Sequence, residues 1–236
     1  MTVFRSVEAP LSLVNEHYDD RYFDVINAIE EAKHVFFHGA GILEMLSGSG
    51  RKELRIGETG FGAGRVLVSL MDFLDSCDMT GLSITYNSVE LHPIPVDRME
   101  SILCGFRTEV GPLIDQLVRA YGSIDIASPG WHRIELIRPF GALTLHLRIG
   151  EALNMVRELT APCDAWFLDG HGPKKNPAMW RHELLLAVGE KTVKGGTCAT
   201  YTVAGEVRRG LADAGFSVVQ RPGFGGKKAV LRGIKQ

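Results

Sequence analysis

The sequence lacks the features that mark several classes of protein. Its four cysteines stand far apart and include no Cys-x-x-Cys pair, so reduced structural thiols are expected rather than a zinc site. No apolar run approaches the ~20 residues that cross a membrane, and the start, MTVFRSVEAP, has no apolar segment typical of a signal peptide. We therefore expect a cytoplasmic protein that has no membrane partner.

An excess of charge of one sign is also absent. The 236 residues include 26 Lys and Arg and 28 Asp and Glu, for a formal net charge of -2, and 45% of the residues are hydrophobic. This composition excludes intrinsic disorder, a collagen-like repeat and a globally polybasic tail. The chain also shows no internal repeat and no low-complexity segment. At ~150 residues per domain, the length predicts a single domain, 1–236, with room for a small insertion.

The chain does contain an alternation of short apolar runs with helical patterns, which is typical of strand-helix-strand units around a mostly parallel sheet. Pro93 and Pro95 interrupt this alternation, and the helical patterns that follow predict a small helical insertion at 91–122. The predicted strands are 54–56, 82–90, 134–137, 142–149, 165–168, 197–203, 217–221 and 229–234. The predicted helices are 64–77, 96–103, 113–121, 151–159, 179–192 and 207–214.

The two terminal strands determine the expected fold class. They are joined by the short loop PGFGGKK, and strands joined by a short loop must be antiparallel because a parallel pair needs a longer crossover. A mostly parallel, Rossmann-like α/β sheet that ends in such a hairpin is typical of class I methyltransferases, which use S-adenosylmethionine (SAM). A purely parallel end would favour a dehydrogenase.

A glycine-rich loop follows the first predicted strand and precedes a helix. Its sequence, ETGFGAG, runs from Glu58 to Gly64 and includes Gly60, Phe61 and Gly62. A dinucleotide fingerprint needs G-x-G-x-x-G, whereas this loop has G-x-G-x-G with an acid two places before the first glycine, as SAM-binding loops do. SAM carries a sulfonium and an α-amino cation, so the carboxylate of Glu58 would help to bind it. A nicotinamide oxidoreductase is disfavoured by the same spacing.

Three further acids follow predicted strands, where ligands bind in open α/β sheets. Glu90 ends the second strand and could accept hydrogen bonds from both ribose hydroxyls. Glu151 occupies the place where such folds usually put an acid near the adenine amino group. Asp169 follows an apolar strand and should face the glycine loop, which makes it the first choice for a functional residue. The alternative for each is a solvated loop carboxylate or, for Asp169, a helix cap, although Asn176 is better placed for that.

Several segments together resemble the methyltransferase domain of the MnmC family, bacterial enzymes that complete methylaminomethyl-uridine at the tRNA wobble position. They are HYDDRYFDVINAIEEAKHVFFHGAGI, ETGFGAG, PGWHRIEL, LTLHLRIGEAL, FLDGHGPKKNPAMW, GGTCATYTVAGEVRRGLADAGF and PGFGGKKAVLRG. The resemblance implies SAM-dependent transfer of a methyl group to the primary amine of an aminomethyl-uridine. It assigns SAM binding to Glu58, Gly60, Gly62, Gly64 and Glu90, and places Asp169 beside both the cofactor and the amine.

The chain departs from the family pattern near the expected substrate pocket. His171 and Gly172 stand where the family usually has an aromatic and a small residue, and Glu151 stands where it usually has Asp. An alternative is therefore a SAM-dependent N-methyltransferase that acts on a different RNA base or on a small amine. Since the chain ends at Gln236 without the family's oxidase domain, we expect methylation only, no FAD, no metal, and a separate enzyme that makes the aminomethyl-uridine precursor.

Binding of tRNA needs positive charge despite the net charge of -2. We expect the loop after Asp169 to contribute His171, Gly172, Pro173, Lys174 and Lys175, and we expect Arg208 and Lys227 from two further basic pairs to contribute as well. The alternatives are solvated surface charge for the basic residues and a surface loop position, rather than a general base, for His171. Tyr22 and Phe23 could close over SAM or simply pack in the core. A non-catalytic RNA-binding module would leave the cofactor loop and Asp169 unexplained.

Overall fold

The computed structural model describes residues 14–15, 17–22, 27–47 and 50–236, so Phe23 and the run MTVFRSVEAP lie outside these ranges. The strands are β1 (Val14–Asn15), β2 (Asp20–Arg21), β3 (Glu53–Glu58), β4 (Leu82–Glu90), β5 (Gly130–Arg138), β6 (Gly141–Ile149), β7 (Cys163–Phe167), β8 (Thr192–Thr200), β9 (Phe216–Pro222) and β10 (Ala229–Lys235). The α-helices are α1 (Ala28–Ala32), α2 (Ile42–Ser47), α3 (Arg65–Asp75), α4 (Val96–Leu103), α5 (Arg107–Tyr121), α6 (Ala152–Glu158), α7 (His182–Glu190) and α8 (Gly205–Asp213). A π-helical segment, Lys33–His38, follows α1, and short 3-10 turns occupy Cys104–Phe106 and Pro177–Trp180.

Eight strands form one sheet in the order β5-β6-β4-β3-β7-β8-β10-β9. The five central strands, from β6 to β8, are parallel, whereas β5 pairs antiparallel with β6, and β10 pairs antiparallel with both β8 and β9. The predicted mostly parallel sheet with an antiparallel terminal hairpin is therefore confirmed. Because β4 lies on one side of β3 and β7 on the other, the strand order reverses at β3, and a crevice opens there at the carboxyl ends of the strands.

The two faces of the sheet carry separate parts of the core. All five residues of β7 are buried, as expected for a central parallel strand that is covered on both faces. Trp166 and Phe167 are adjacent in β7 but belong to different hydrophobic clusters, since successive side chains of a strand point to opposite faces. Helices α1 to α5 contribute to the cluster around Phe167, and helices α6 to α8 contribute to the cluster around Trp166. The sheet is thus the middle of three layers.

The segment 91–122 contains helices, as predicted, but α5 begins six residues earlier than expected. Its backbone is kinked at Val110, shortly before Pro112, which lacks the N–H that a regular helix would use. Leu113, Ile114 and Leu117 are buried in the same cluster as α3. The helices of the predicted insertion therefore cover one face of the sheet.

Two other predicted boundaries are wrong. The predicted helix 179–192 starts at His182, because Pro177 begins a 3-10 turn and Arg181 is extended, and Asn176 makes no side-chain capping bond. The strand predicted at 197–203 spans 192–200. The pattern missed its start because the glycine pair after Lys194 indicated a turn, whereas β8 continues there through an irregularity in its pairing with β7.

Among the described helices, none is long and apolar enough to cross a membrane.

Candidate active site

A first cavity opens at the carboxyl ends of β3, β4 and β7, at the point where the strand order reverses. Seven of the predicted cofactor residues line it together: Tyr22, Gly60, Phe61, Gly62, Glu90, Glu151 and Asp169. Glu58 and Gly64 do not line this cavity. Glu58 is buried at the end of β3, and Gly64 lies at the start of α3.

The glycine loop reaches this position through backbone conformations that favour glycine. Gly62 and Gly64 have φ angles of 55° and 76°, in the left-handed region. A Cβ atom on Gly60 would lie 3.1 Å from the carbonyl oxygen of Asp169, and the Thr59 hydroxyl donates a hydrogen bond to that oxygen at 2.9 Å. The backbone of Asp169 therefore lies directly against the glycine loop.

Glu90 joins the glycine loop to the loop after β4. Its Oε2 accepts a hydrogen bond from the backbone N–H of Gly62 at 2.8 Å, and its Oε1 accepts one from the N–H of His92 at 2.9 Å. A carboxylate has about four lone-pair sites, so further hydrogen bonds from ligand hydroxyls can be accepted. Glu151 precedes α6 on another wall of the cavity, 3.5 Å from the Arg181 guanidinium.

Glu58 lies beneath the glycine loop, where it is 1% exposed. The Ser88 hydroxyl donates a hydrogen bond to its Oε2 at 2.6 Å, while its Oε1 is buried without a hydrogen-bond partner among the described residues. Burial raises the pKa of Glu58 to about 8, with the nearby Asp169 carboxylate acting in the same direction and the hydrogen bond from Ser88 opposing it. A cationic ligand above the loop would favour the ionised form of this carboxyl.

Asp169 is held by two contacts. Its Oδ1 accepts a hydrogen bond from the N–H of Gly170 at 2.9 Å, and its Oδ2 lies 3.3 Å from Nη2 of Arg65. Burial raises the pKa of Asp169, and the Arg65 guanidinium opposes that shift. Arg65 is itself buried and donates a hydrogen bond to the carbonyl of Ala28. Arg65 was not predicted, although an arginine directly after a glycine loop and before a run of apolar helix residues was a usable signal.

A second cavity adjoins the first. Five residues line both cavities: Tyr22, Arg65, Asp169, Gly170 and His171. The second cavity is also lined by Asp20 and Glu31, so three carboxylates, including that of Asp169, surround it. The Tyr201 hydroxyl donates a hydrogen bond to the carbonyl of Gly170 at 2.5 Å and anchors the loop after β7. Sequence reasoning missed Asp20, Glu31 and Tyr201, which no local motif marks.

His171 is enclosed between the two cavities. Its side chain is 10% exposed and packs against the rings of Tyr18 and Tyr22, with centroids 4.7 and 5.8 Å away. Its Nδ1 lies 3.4 Å from Oδ2 of Asp20, and its carbonyl accepts a hydrogen bond from the indole of Trp180. The alternative of a surface histidine is therefore wrong.

The predicted substrate residues separate into two groups. His171, Gly172 and Lys227 line the second cavity, where Lys227 forms an ion pair with Glu31 at 2.5 Å. The others do not line either cavity, and all except the half-buried Pro173 are exposed: Pro173, Lys174, Lys175 and Arg208. Lys175 lies 2.9 Å from Asp19 of the amino-terminal hairpin, so its charge is partly compensated.

In the part of the chain that the structure describes, no group of three or more His, Cys, Asp or Glu side chains could hold a metal ion. Cys163 and Cys198 are buried, and burial raises the pKa of each thiol to about 12. Thiols with such pKa values are poor nucleophiles at neutral pH.

Comparison with known proteins places this site in a family. Residues 109–236, slightly more than half of the chain, match the model of a family described as S-adenosyl-L-methionine-dependent methyltransferase. The chain belongs to this methyltransferase family. The predicted class of enzyme and its use of SAM therefore agree with the family.

The methyltransferase also resembles named relatives. The tRNA 5-methylaminomethyl-2-thiouridine biosynthesis bifunctional protein MnmC of Caulobacter vibrioides is 36% identical over 214 residues, which are 91% of this chain and 35% of that protein. The protein of the same name in Chromobacterium violaceum is 36% identical over 230 residues, 95% of this chain and 33% of the relative. The resemblance to MnmC is confirmed, and the chain spans about a third of the length of the curated relatives it matches.

Solved structures show the same fold. MnmC2 from Aquifex aeolicus has a TM-score of 0.71 at 23% identity, covering 93% of this chain and 65% of that chain. A putative class I SAM-dependent methyltransferase from Listeria monocytogenes has a TM-score of 0.50 at 12% identity, covering 94% of this chain and 62% of that chain. The predicted class I methyltransferase fold is therefore confirmed.

The first cavity of this methyltransferase fits the cofactor of its family. The loop approaches the cavity through Gly60 and Gly62, where side chains would intrude, and the carboxylates of Glu90 and Glu151 offer acceptors for hydroxyl and amino groups. Beneath the loop, the buried carboxyl of Glu58 would be favoured in its ionised form by a cationic ligand. When bound, SAM supplies an electrophilic methyl group on a sulfonium.

Proposed function

We propose that this protein transfers a methyl group from SAM to the primary amine of an aminomethyl-uridine at the wobble position of tRNA. The observation that carries the proposal is that a first cavity suited to SAM meets a second, acidic cavity at Asp169. The relatives named for 5-methylaminomethyl-2-thiouridine biosynthesis support this choice of acceptor. A separate enzyme that makes the aminomethyl-uridine is part of the same proposal.

In the first cavity, we assign contacts with SAM to Tyr22, the glycine loop and the acids around it. In this assignment Glu90, which lines the cavity, accepts hydrogen bonds from the ribose hydroxyls of SAM. Glu151, which also lines it, lies near the adenine amino group. Glu58 acts from beneath the loop through its charge, since its side chain is buried. Tyr22 covers the loop, because a Cβ on Gly62 would lie 3.5 Å from its ring.

The second cavity suits an amine that arrives as a cation. The carboxylates of Asp20, Glu31 and Asp169 surround it, together with two basic groups: Lys227, which pairs with Glu31, and Arg65, which pairs with Asp169. An alkyl amine with a pKa of ~10.4 is neutral about once in 10³ molecules at pH 7, which corresponds to roughly 4 to 5 kcal/mol. Attack on the methyl group needs this neutral form, so the site must both attract the ammonium and remove one proton from it.

Asp169 orients the amine. Its carboxylate is held in place by Arg65 and by the N–H of Gly170, and it lines both cavities. By accepting a hydrogen bond from the amine, it would direct the nitrogen lone pair toward the methyl group. Positioning of this kind supplies most of the acceleration in a displacement that needs no covalent intermediate.

The exposed basic residues would contact the tRNA backbone around this cleft. Lys174 and Lys175 belong to the loop that carries Asp169. Arg208 lies in the first turn of α8, which follows the carboxyl end of β8 at the same edge of the sheet. Contacts of lysine and arginine with phosphates supply affinity that depends on salt but carries no sequence information.

One observation supports a second candidate, a SAM-dependent N-methyltransferase that acts on another RNA base or a small amine. His171 lines both cavities, at a position where the MnmC pattern usually has a different side chain. Three carboxylates around the second cavity would attract any primary amine. The acceptor must therefore be decided by experiment.

The test is methyl transfer with labelled SAM to three acceptors: tRNA that carries aminomethyl-uridine, the same tRNA without the aminomethyl group, and small primary amines. We expect label only in the first tRNA, with the product identified as methylaminomethyl-uridine by mass spectrometry of the nucleosides. Equal labelling of both tRNAs, or labelling of the small amines alone, would overturn the proposed acceptor. A variant in which Asp169 is replaced by Asn should give little label with any acceptor.

A further inference from the structure

The second cavity contains a histidine that is backed by a carboxylate. His171 Nδ1 lies 3.4 Å from Oδ2 of Asp20, and the N–H of Gly172 lies at the same distance from that oxygen. The Nδ1 atom is buried and has no closer hydrogen-bond partner among the described residues. Hydrogen bonds of this kind are often long before a substrate binds and shorten in the reacting complex.

The other groups around the second cavity are less suited to accept a proton from the amine. Both oxygens of Asp169 already have partners, Arg65 and the N–H of Gly170. Glu31 is paired with Lys227, and the Tyr201 hydroxyl donates to a carbonyl.

A neutral imidazole, by contrast, has one ring nitrogen whose lone pair can accept a proton, and His171 lines both cavities.

We propose that His171 accepts the proton that the acceptor amine must lose, and that Asp20 positions the imidazole for this step. The inference rests on the proposed amine methylation and assigns the proton acceptor within it. Nδ1 carries a hydrogen that it donates to Asp20, which leaves the lone pair of Nε2 for the substrate. Asp20 is thus a positioning residue that acts through the ring.

The step balances without a further reactant. One N–H bond of the ammonium breaks, its electron pair stays on the amine nitrogen, and the proton forms an N–H bond with Nε2 of His171. The amine lone pair then forms the new N–C bond with the methyl carbon as the bond between that carbon and sulfur breaks. The imidazolium later returns its proton to solvent.

The surroundings of His171 combine packing and charge. Tyr18 and Tyr22 pack against the ring, and Asp20 faces Nδ1. The charges of Asp169, Arg65, Glu31 and Lys227 line the same cavity. Three carboxylates and two basic groups thus surround the ring.

The experiment compares wild type with His171→Phe, which retains a ring to pack on Tyr18 and Tyr22 but has no proton acceptor. We expect turnover of the amine acceptor to fall on the order of 100-fold at pH 7, with SAM affinity by calorimetry unchanged. The loss should shrink to a few-fold near pH 10, where the amine loses its proton to solvent. Asp20→Asn should produce a smaller loss in the same direction, with the KM for the amine changed less than kcat.

The exposed pair of His182 and Asp213, with 3.0 Å between Nε2 and Oδ2, supplies the matched control. His182→Phe should leave the pH profile of turnover unchanged. If His171→Phe has the same pH profile as wild type, the inference is wrong. If wild type methylates a small amine but not tRNA, the proposed acceptor fails, and the same comparison on that amine still decides the role of His171.

Discussion

The two cavities that meet at Asp169 are assembled in different ways. The walls of the first cavity come largely from strand ends and the loops beside them, and the hydrogen bond from Gly62 to Glu90 joins residues 28 positions apart. The second cavity brings the amino-terminal segment against the loop after β7, and the contact between Asp20 and Gly172 spans 152 positions. The first cavity is thus built mainly on the strand ends of the sheet, with Tyr22 of the amino-terminal segment also lining it, whereas the second depends more on packing between distant segments.

This difference separates binding of the cofactor from selection of the acceptor. Any chain with this strand order places its glycine loop and the acid after β4 together, because both lie at the same edge of neighbouring parallel strands. The acceptor side requires the hairpin of β1 and β2 to fold over the cleft. We therefore expect substitutions in the first cavity to change SAM affinity and substitutions in the second to change turnover and acceptor choice.

The largest effect is expected at the residue that both cavities share. Asp169→Asn retains size but removes the charge that pairs with Arg65 and the strong acceptor for the amine. We expect kcat to fall on the order of 10² to 10³-fold, with a much smaller change in SAM affinity measured by calorimetry.

Asp164, also buried and paired with Arg51, is a matched control at the opposite end of β7. Asp164→Asn should lower stability without changing turnover. A variant of Asp169 that loses SAM affinity in proportion to turnover would instead assign this residue to the cofactor side alone.

The next effect tests the first cavity through its backbone. Gly62 has a φ of 55° and faces Tyr22, so Gly62→Val introduces both backbone strain and a side chain in the cavity. We expect SAM affinity to fall roughly 10- to 100-fold, which corresponds to about 1.4 to 3 kcal/mol.

Gly81 offers the control, because its φ is 70° and no atom lies within 4 Å of its Cβ position. Gly81→Val should cost similar stability, measured by chemical denaturation, and leave SAM affinity intact. Equal loss of SAM affinity in both variants would show that strain alone explains the effect.

A pH-dependent effect is expected beneath the glycine loop. The pKa of Glu58 is about 8 in the folded protein against 4.5 for the free side chain, so between these values the folded state retains a proton that the unfolded state releases. The free energy of unfolding therefore falls as pH rises from about 4.5 to 8, by roughly a few kcal/mol.

Chemical denaturation of wild type and Glu58→Gln at pH 5 and pH 8 measures this effect. Glu58→Gln should lose less stability between pH 5 and pH 8 than the wild type does. Saturating SAM at pH 8 should restore the stability that the wild type has lost, because a bound cation favours the ionised carboxylate. Parallel losses in the two proteins would contradict the assigned burial of Glu58.

The smallest effect is expected outside both cavities. Replacing Lys174 and Lys175 with Ala should weaken tRNA binding a few-fold. The slope of log K against the logarithm of salt concentration should become less steep by about one to two, since each phosphate contact contributes about 0.7 to 0.9 to that slope. SAM affinity should not change. Filter binding of tRNA over a series of salt concentrations measures the slope.

Lys194→Ala is the control, because Lys194 is exposed near the amino end of β8, at the opposite edge of the sheet. The salt dependence of tRNA binding by Lys194→Ala should match that of wild type. An unchanged slope in the double variant would place the tRNA on another surface.

Much of the fold could be predicted from the sequence because its signals are local. Strand β4 was predicted with its full bounds, since alternating apolar residues between a glycine and a proline indicate a strand. The start of β8 was missed, because the pair Gly195 and Gly196 indicates a turn in isolation but lies within a paired strand here. Pairing with neighbouring strands overrides local preference.

The residues of the candidate site show the same difference between local signals, which could be predicted, and contacts between distant segments, which could not. Asp169 and the glycine loop were found from their positions after strands, whereas Arg65, Asp20 and Glu31 were not. The guanidinium of Arg65 is buried against Asp169 and the carbonyl of Ala28, and no spacing in the sequence predicts these contacts.

The sequence by itself determined the class of enzyme, the alternation of strands and helices, and the loop suited to SAM, because these depend on residues that are neighbours in the chain. Only the tertiary structure decided that His171 is enclosed beside Asp20 and that three carboxylates surround a second cavity. The physical reason is that burial and charge pairing depend on which distant segments pack together. About 150 residues separate Asp20 from Gly172 in the chain, so no local sequence pattern predicts their contact.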